Sequence, residues 1–101
     1  MANPNPIEVV RAHVWASGRV QNVGFRAFVQ QSGALLGLTG WVRNVGYDQV
    51  EAVAEGSRRA VEKFIAAVRT GPRAARVEEV RLEWEAPTGE FLDFGVKYSI
   101  Y

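Results

Sequence analysis

The residues best suited to chemistry lie between positions 18 and 26, in the run Gly18-Arg19-Val20-Gln21-Asn22-Val23-Gly24-Phe25-Arg26. Two glycines bracket a junction between an extended apolar run and a helical one. A turn of that kind leaves backbone N–H groups free, and free N–H groups at a helix start suit an anion. Arg26 falls in the first helical turn and can close on such an anion as a fork of donors. Between Glu8 and Asp48 there is no acidic residue, whereas Arg11, Arg19, Arg26 and Arg43 are all present. That segment holds a positive local potential although the whole chain carries only +1. The expected ligand is an anion the size of a phosphate.

The absences narrow the chemistry. The single histidine, His13, lies in a strand pattern without an acidic neighbour in sequence, so a Ser-His-acid triad is unsupported and a structural role is expected. No His, Asp and Glu cluster has metal-ligand spacing, and there is no cysteine. No metal and no cofactor is implied. What remains is backbone amides, Arg26 and the carboxamide of Asn44. Those parts suit phosphoryl transfer to water, which asks mainly for positioning and charge stabilisation. A phosphate ester would also need a general acid. An acyl phosphate does not, because its carboxylate leaving group is already a stable anion near neutral pH.

The elements that must position these groups read as follows. Residues 7–16 form a first strand, with Val10, Ala12, Val14 and Ala16 on one face and Arg11, His13 and Trp15 on the other. Residues 25–36 form a helix with a stripe of Phe25, Phe28, Val29, Leu35 and Leu36, weakened slightly by Gly33 and ended by Gly37. Residues 38–45 and 49–55 pair as a hairpin across the turn Gly46-Tyr47-Asp48. Ser57 caps a second helix with a buried stripe of Ala60, Val61, Phe64, Ile65 and Val68, and Gly71-Pro72 stops it. Val80, Leu82 and Trp84 alternate in a fourth strand, and Phe94, Val96, Tyr98 and Ile100 in a last one. The order predicts an α+β, ferredoxin-like βαββαβ sandwich, an antiparallel sheet of four to five strands with two helices on one face. Glu78, Glu79, Glu83 and Glu85 are expected to form a solvated strand face, and Arg58-Arg59 an exposed helix start. Arg43 is expected to point away from the face that carries Asn44.

The run at 18–26, followed by Gly37-Leu38-Thr39-Gly40-Trp41-Val42-Arg43-Asn44, resembles the acylphosphatase family signature. Residues 50–56, 71–77 and the closing alternation fit the same family, so the resemblance runs from about Val9 onward. Asn22 stands where the family usually has Gly, and Asn is the non-glycine residue best able to take a left-handed backbone. The resemblance implies an acylphosphatase that hydrolyses small acyl phosphates to carboxylate and inorganic phosphate, metal-independently and without a phosphoenzyme. It implies that Arg26 binds the phosphoryl group and Asn44 orients the attacking water. The loop from Arg19 through Val20, Gln21, Asn22, Val23, Gly24 and Phe25 would hold the phosphate, with Arg19 a helper at most and the side chains of Val20, Val23 and Phe25 packing inward.

Length predicts one domain, residues 7–101, behind a disordered tail at 1–6. No apolar run reaches membrane-spanning length and no signal peptide is legible, so a cytoplasmic monomer without membrane partners is expected. Two other functions fit the same order of elements. An RNA-binding module could use Trp15, Trp41 and Tyr98 as a stacking platform, but the glycine-aromatic RNA signature is missing and no nucleic-acid partner is expected. A regulatory domain could bind an anion without turning it over.

Overall fold

In the computed structural model residues 7–99 are described. The tail expected over 1–6, and Ile100 of the last strand, lie outside them. The elements are β1 (Val9–Arg19), α1 (Phe25–Leu35), β2 (Thr39–Val45), β3 (Gln49–Ser57), α2 (Arg58–Thr70), β4 (Arg76–Glu85) and β5 (Phe94–Val96). The sheet order is β4-β1-β3-β2-β5. The first four strands pair antiparallel, in the ferredoxin-like arrangement. β5 departs from the expected antiparallel sheet by pairing parallel to β2, so the five-stranded sheet is mixed. It is also shorter than the alternation suggested: Tyr98, expected in it, is exposed beyond its end.

Alternation sorts the strands as the sequence predicts. Val10, Ala12, Val14 and Ala16 are buried under the helices, with Arg11, His13 and Trp15 on the opposite face. On β2, Gly40, Val42 and Asn44 take the helix-side positions. Helix α2 buries Val61, Phe64, Ile65 and Val68, the stripe read from its period. Helix α1 differs from expectation. It buries Phe25, Val29 and Gly33, while Leu35 is 89% exposed. Residues 25, 29 and 33 follow an i, i+4 row, and Leu35 lies about 200° round from Gly33. Gly33 is a seat rather than a weak point: a Cβ there would come within 2.4 Å of the Phe94 ring. The missing side chain lets β5 dock its one buried residue against the helix.

Gly18 turns the chain out of β1. The pairing with β4 shifts register between Ser17 and Gly18, a bulge that re-aims the strand end. Gly18 has φ +125°, and a Cβ would lie 2.4 Å from the Arg76 carbonyl oxygen, so only glycine fits.

Candidate active site

β1 and β2 are both antiparallel to β3 and therefore run in the same direction. Their C-terminal ends lie at one end of the sheet, with β3 between them. Ala16 and Asn44 both oppose Val50, so the three form a row across the strands. With strands about 4.8 Å apart, Asn44 lies about 10 Å from Ala16 along that row. The loop that leaves β1 crosses in front of this gap and enters α1. Loop, helix start and Asn44 thus meet, although they are distant in sequence.

They enclose an open pocket of about 290 Å³ lined by Val20, Asn22, Gly24, Phe25, Arg26, Ala27, Asn44 and Val96. Arg26 is the one charged lining residue. Its Nη1 lies 3.5 Å from the Ser99 hydroxyl, and it finds no carboxylate among the described residues. Asn44 is 8% exposed, and its Oδ1 is buried without a hydrogen-bond partner among the described residues. Such an atom is costly unless something else satisfies it, and Asn44 opens onto the pocket. Arg43 points to the other face as expected, where its Nε donates to Glu51 Oε1 at 2.8 Å.

The loop backbone is shaped for donors. Asn22 takes the left-handed conformation that its type allows, φ 61°, and Gly24, the N-cap of α1, follows at φ 77°. No side chain caps α1 and its first turn has no acidic residue. Phe28 N–H donates to the Gly24 carbonyl, whereas the N–H groups of residues 21 to 27 donate to no acceptor among the described residues. They are the unfilled donors of a helix start plus those of the loop before it. Val20 differs, because its N–H already donates to the Gly18 carbonyl at 3.0 Å. Val20 serves as a wall. Val20 and Phe25 are fully buried, and Val23 packs against the core, which anchors the loop from below as expected.

Of the sequence-predicted site residues, Val20, Asn22, Gly24, Phe25, Arg26 and Asn44 come together around the pocket. Arg19 does not; it ends β1 opposite Arg76 and is exposed. Gln21 and Val23 do not line the pocket either, although both belong to its loop. Sequence reasoning missed Val96, Ala27 and Ser99. The alternation marked Val96 as a strand residue, but only parallel pairing of β5 on β2, with Val42 opposite Val96, brings it to the pocket wall.

Against known proteins, the acylphosphatase family model matches residues 12–96. The chain belongs to the acylphosphatase family. An acylphosphatase from Roseiflexus sp. (strain RS-1) is 48% identical over 90 residues, covering 89% of this chain and 97% of that one. An acylphosphatase from Chloroflexus aurantiacus is 49% identical over 84 residues, covering 83% and 91%. The crystal structure of acylphosphatase from Bacillus subtilis superposes with a TM-score of 0.84 at 32% identity, over 88% of this chain and 99% of that chain. Acylphosphatase function implies an acyl phosphate substrate and inorganic phosphate as product. A pocket with one guanidinium, free N–H groups and no acidic lining residue is suited to both.

The other sheet face gives His13 the structural surroundings expected of it and departs from expectation at Glu85 and Arg58. His13 has a carboxylate on each ring nitrogen: Nδ1 is 2.7 Å from Glu85 Oε2 and Nε2 is 2.6 Å from Glu51 Oε2. Glu85, expected to be merely solvated, also approaches Arg11 Nε at 3.2 Å. Trp15 stacks on His13 with ring centroids 3.9 Å apart, and Arg81 lies over Trp15. Glu55 accepts the N–H groups of Thr88 and Gly89 at 2.9 and 3.0 Å, which straps the loop after β4 to this face. Arg58, expected to be exposed, lies over the Trp84 ring at 5.1 Å and is half-buried. Its Nε comes within 3.5 Å of Glu8 Oε1. Trp15 and Trp41 are thus occupied by protein partners, Arg81 on the first and Arg43 and Lys97 on the second.

Proposed function

We propose that Arg26 and the N–H groups of the loop bind the phosphoryl group, and that Asn44 holds the attacking water. The water oxygen attacks phosphorus in line, the bond from phosphorus to the acyl oxygen breaks, and its electron pair leaves on the carboxylate. The pocket lining contains no carboxylate or imidazole to act as base. The water proton therefore passes to a phosphoryl oxygen, whose second pKa in phosphate monoesters is about 6. Charge on the equatorial oxygens is met by the guanidinium and by amides already in place, so little reorganisation is needed at the moment of reaction. No carboxylate or imidazole in the lining is available to hold a cation, and catalysis is metal-independent. The same proposal takes residues 7–101 as one domain, acting as a cytoplasmic monomer on small acyl phosphates, without nucleic acid.

The observation that carries this is Asn44, a buried carboxamide with an unpartnered Oδ1 at the pocket that Arg26 lines. Benzoyl phosphate hydrolysis by Asn44→Ala tests it. The expected result is a fall in kcat of about 10²-fold or more, with inorganic phosphate inhibiting as it does the wild type. Chelator should leave the wild-type rate unchanged. An Asn44→Ala enzyme with full kcat, or a wild type silenced by chelator, overturns the mechanism. Phosphate binding without turnover in the wild type would instead favour an anion-binding regulatory domain.

A further inference from the structure

Gln21 belongs to the loop but does not line the pocket, and its carboxamide is committed elsewhere. Its Nε2 lies 3.3 Å from the Val45 carbonyl oxygen, 3.0 Å from that of Gly46 and 3.0 Å from that of Gln49. Three carbonyl oxygens can only accept, so the nitrogen end of the amide must face them. Its two hydrogens are shared among three acceptors, the Val45 contact being the longest. Those acceptors belong to the β2–β3 hairpin turn, and Val45 directly follows Asn44.

Two other hydrogen bonds join the same ends. Gly18 N–H donates to the Asp48 carbonyl at 3.0 Å, and Gln49 Nε2 donates to the Ser17 hydroxyl at 3.2 Å. Both hold the end of β1, before the loop begins. Beyond Val20, Gln21 is the one loop residue whose side chain bonds the hairpin among the described residues. Val20, Val23 and Phe25 anchor the loop to the core, and Gln21 adds its one side-chain tie to the strand ends around the hairpin turn that follows Asn44.

We propose that Gln21 is a positioning residue that fixes the distance between the phosphoryl-binding loop and the water held by Asn44. This rests on the roles of Arg26 and Asn44 proposed above. Asn44 is set by β2, and the phosphoryl group is set by the loop, so in-line attack requires the two to be held to within a fraction of an ångström. Gln21 spans the joint between them. Its loss leaves the loop donors and Arg26 able to bind phosphate but lets the bound phosphorus drift away from the water.

The test uses Gln21→Met, which keeps the length and the apolar stem but removes the donors, and Gln21→Asn, which keeps the donors but is one methylene too short. The measurements are kcat and KM for benzoyl phosphate, the inhibition constant of inorganic phosphate and the thermal midpoint. For Gln21→Met the expected result is a kcat lower by about tenfold or more, with the phosphate inhibition constant within about twofold of wild type. Gln21→Asn should fall between it and the wild type, and it carries the test if Gln21→Met does not fold. Wild-type kcat in both variants overturns the proposal. So does a parallel loss of kcat, phosphate affinity and thermal stability, which describes a collapsed loop and not a displaced one. Asn44→Ala separates the two levels. Full activity there overturns the Asn44 role itself, whereas an inactive Asn44→Ala beside a wild-type-like Gln21→Met overturns only the role of Gln21.

Discussion

Helix α2 begins on Ser57, whose hydroxyl accepts the Ala60 N–H at 3.2 Å, and Arg58 N–H donates to the Glu8 carbonyl at 2.8 Å. Helix α1 begins on the left-handed Gly24, with no side-chain cap and with first-turn donors that no group among the described residues uses. Both helices pack on the same sheet and expose the same kind of end, four N–H groups and the positive pole of the helix dipole. In α2 the chain supplies acceptors of its own. In α1 the donors find no acceptor among the described residues, and they lie beside Arg26 and Asn44 Oδ1, where the proposed function places the phosphoryl group. The two sheet faces repeat the contrast in part: Arg11, His13, Arg43, Glu51, Glu55 and Glu85 form ion pairs with one another on the open face, although Arg11 Nε makes no hydrogen bond among the described residues. Paired polar groups hold the fold together, whereas the proposed site keeps N–H donors and the Asn44 Oδ1 acceptor without partners among the described residues.

That contrast can be broken by substitution, starting where the effect is largest. Arg26→Ala should lower kcat/KM for benzoyl phosphate by about 10³-fold or more and abolish inhibition by inorganic phosphate. Its thermal midpoint should stay at the wild-type value, because among the described residues the Arg26 side chain bonds only the Ser99 hydroxyl, at 3.5 Å. Glu51→Ala should behave in the opposite way. It removes the partner of His13 Nε2 and of Arg43 together, so denaturant unfolding should show a loss of about 1–3 kcal/mol with kcat within about threefold of wild type. Ser57→Ala removes only the cap of α2, at a cost of about 1 kcal/mol, read as a midpoint lower by about 5 °C with unchanged kinetics. The smallest change is expected from Asn22→Gly. Glycine adopts φ +61° freely, so stability should rise or hold within about 1 kcal/mol and kcat should stay within about threefold. A large loss of activity there would mean that the Asn22 side chain, and not only its backbone, serves the pocket.

Local periodicity carried much of this molecule. The alternation from Val10 to Ala16 and the stripe from Val61 to Val68 name buried faces correctly, because side-chain direction in a strand or helix depends on backbone repeat alone. The Gly18–Gly24 junction and Arg26 were legible for a related reason: a glycine-bracketed turn into a helix exposes donors wherever it occurs. Leu35 was misread because the stripe of α1 was chosen by apolar type, and the sheet instead demanded Gly33, the position at which Phe94 can approach. The surroundings of His13 were invisible, since its two carboxylates stand 38 and 72 residues away on different strands. The same holds for the side-chain bonds of Gln21: its place in the loop was legible, but not that its carboxamide reaches carbonyls 24 to 28 residues away.

By itself, then, the chain determined which residues face inward, where the donors are left free and which reaction class they suit, because those depend on neighbours a few residues apart. Only the tertiary structure decided that Asn44 stands at the pocket of Arg26, that Val96 closes its wall and that the Gln21 carboxamide reaches the carbonyls of residues 45, 46 and 49. These follow from strand order and register, in which β3 aligns Ala16 with Asn44 and β5 adds parallel to β2. Such pairings depend on contacts between segments far apart in the chain, and no local pattern encodes them.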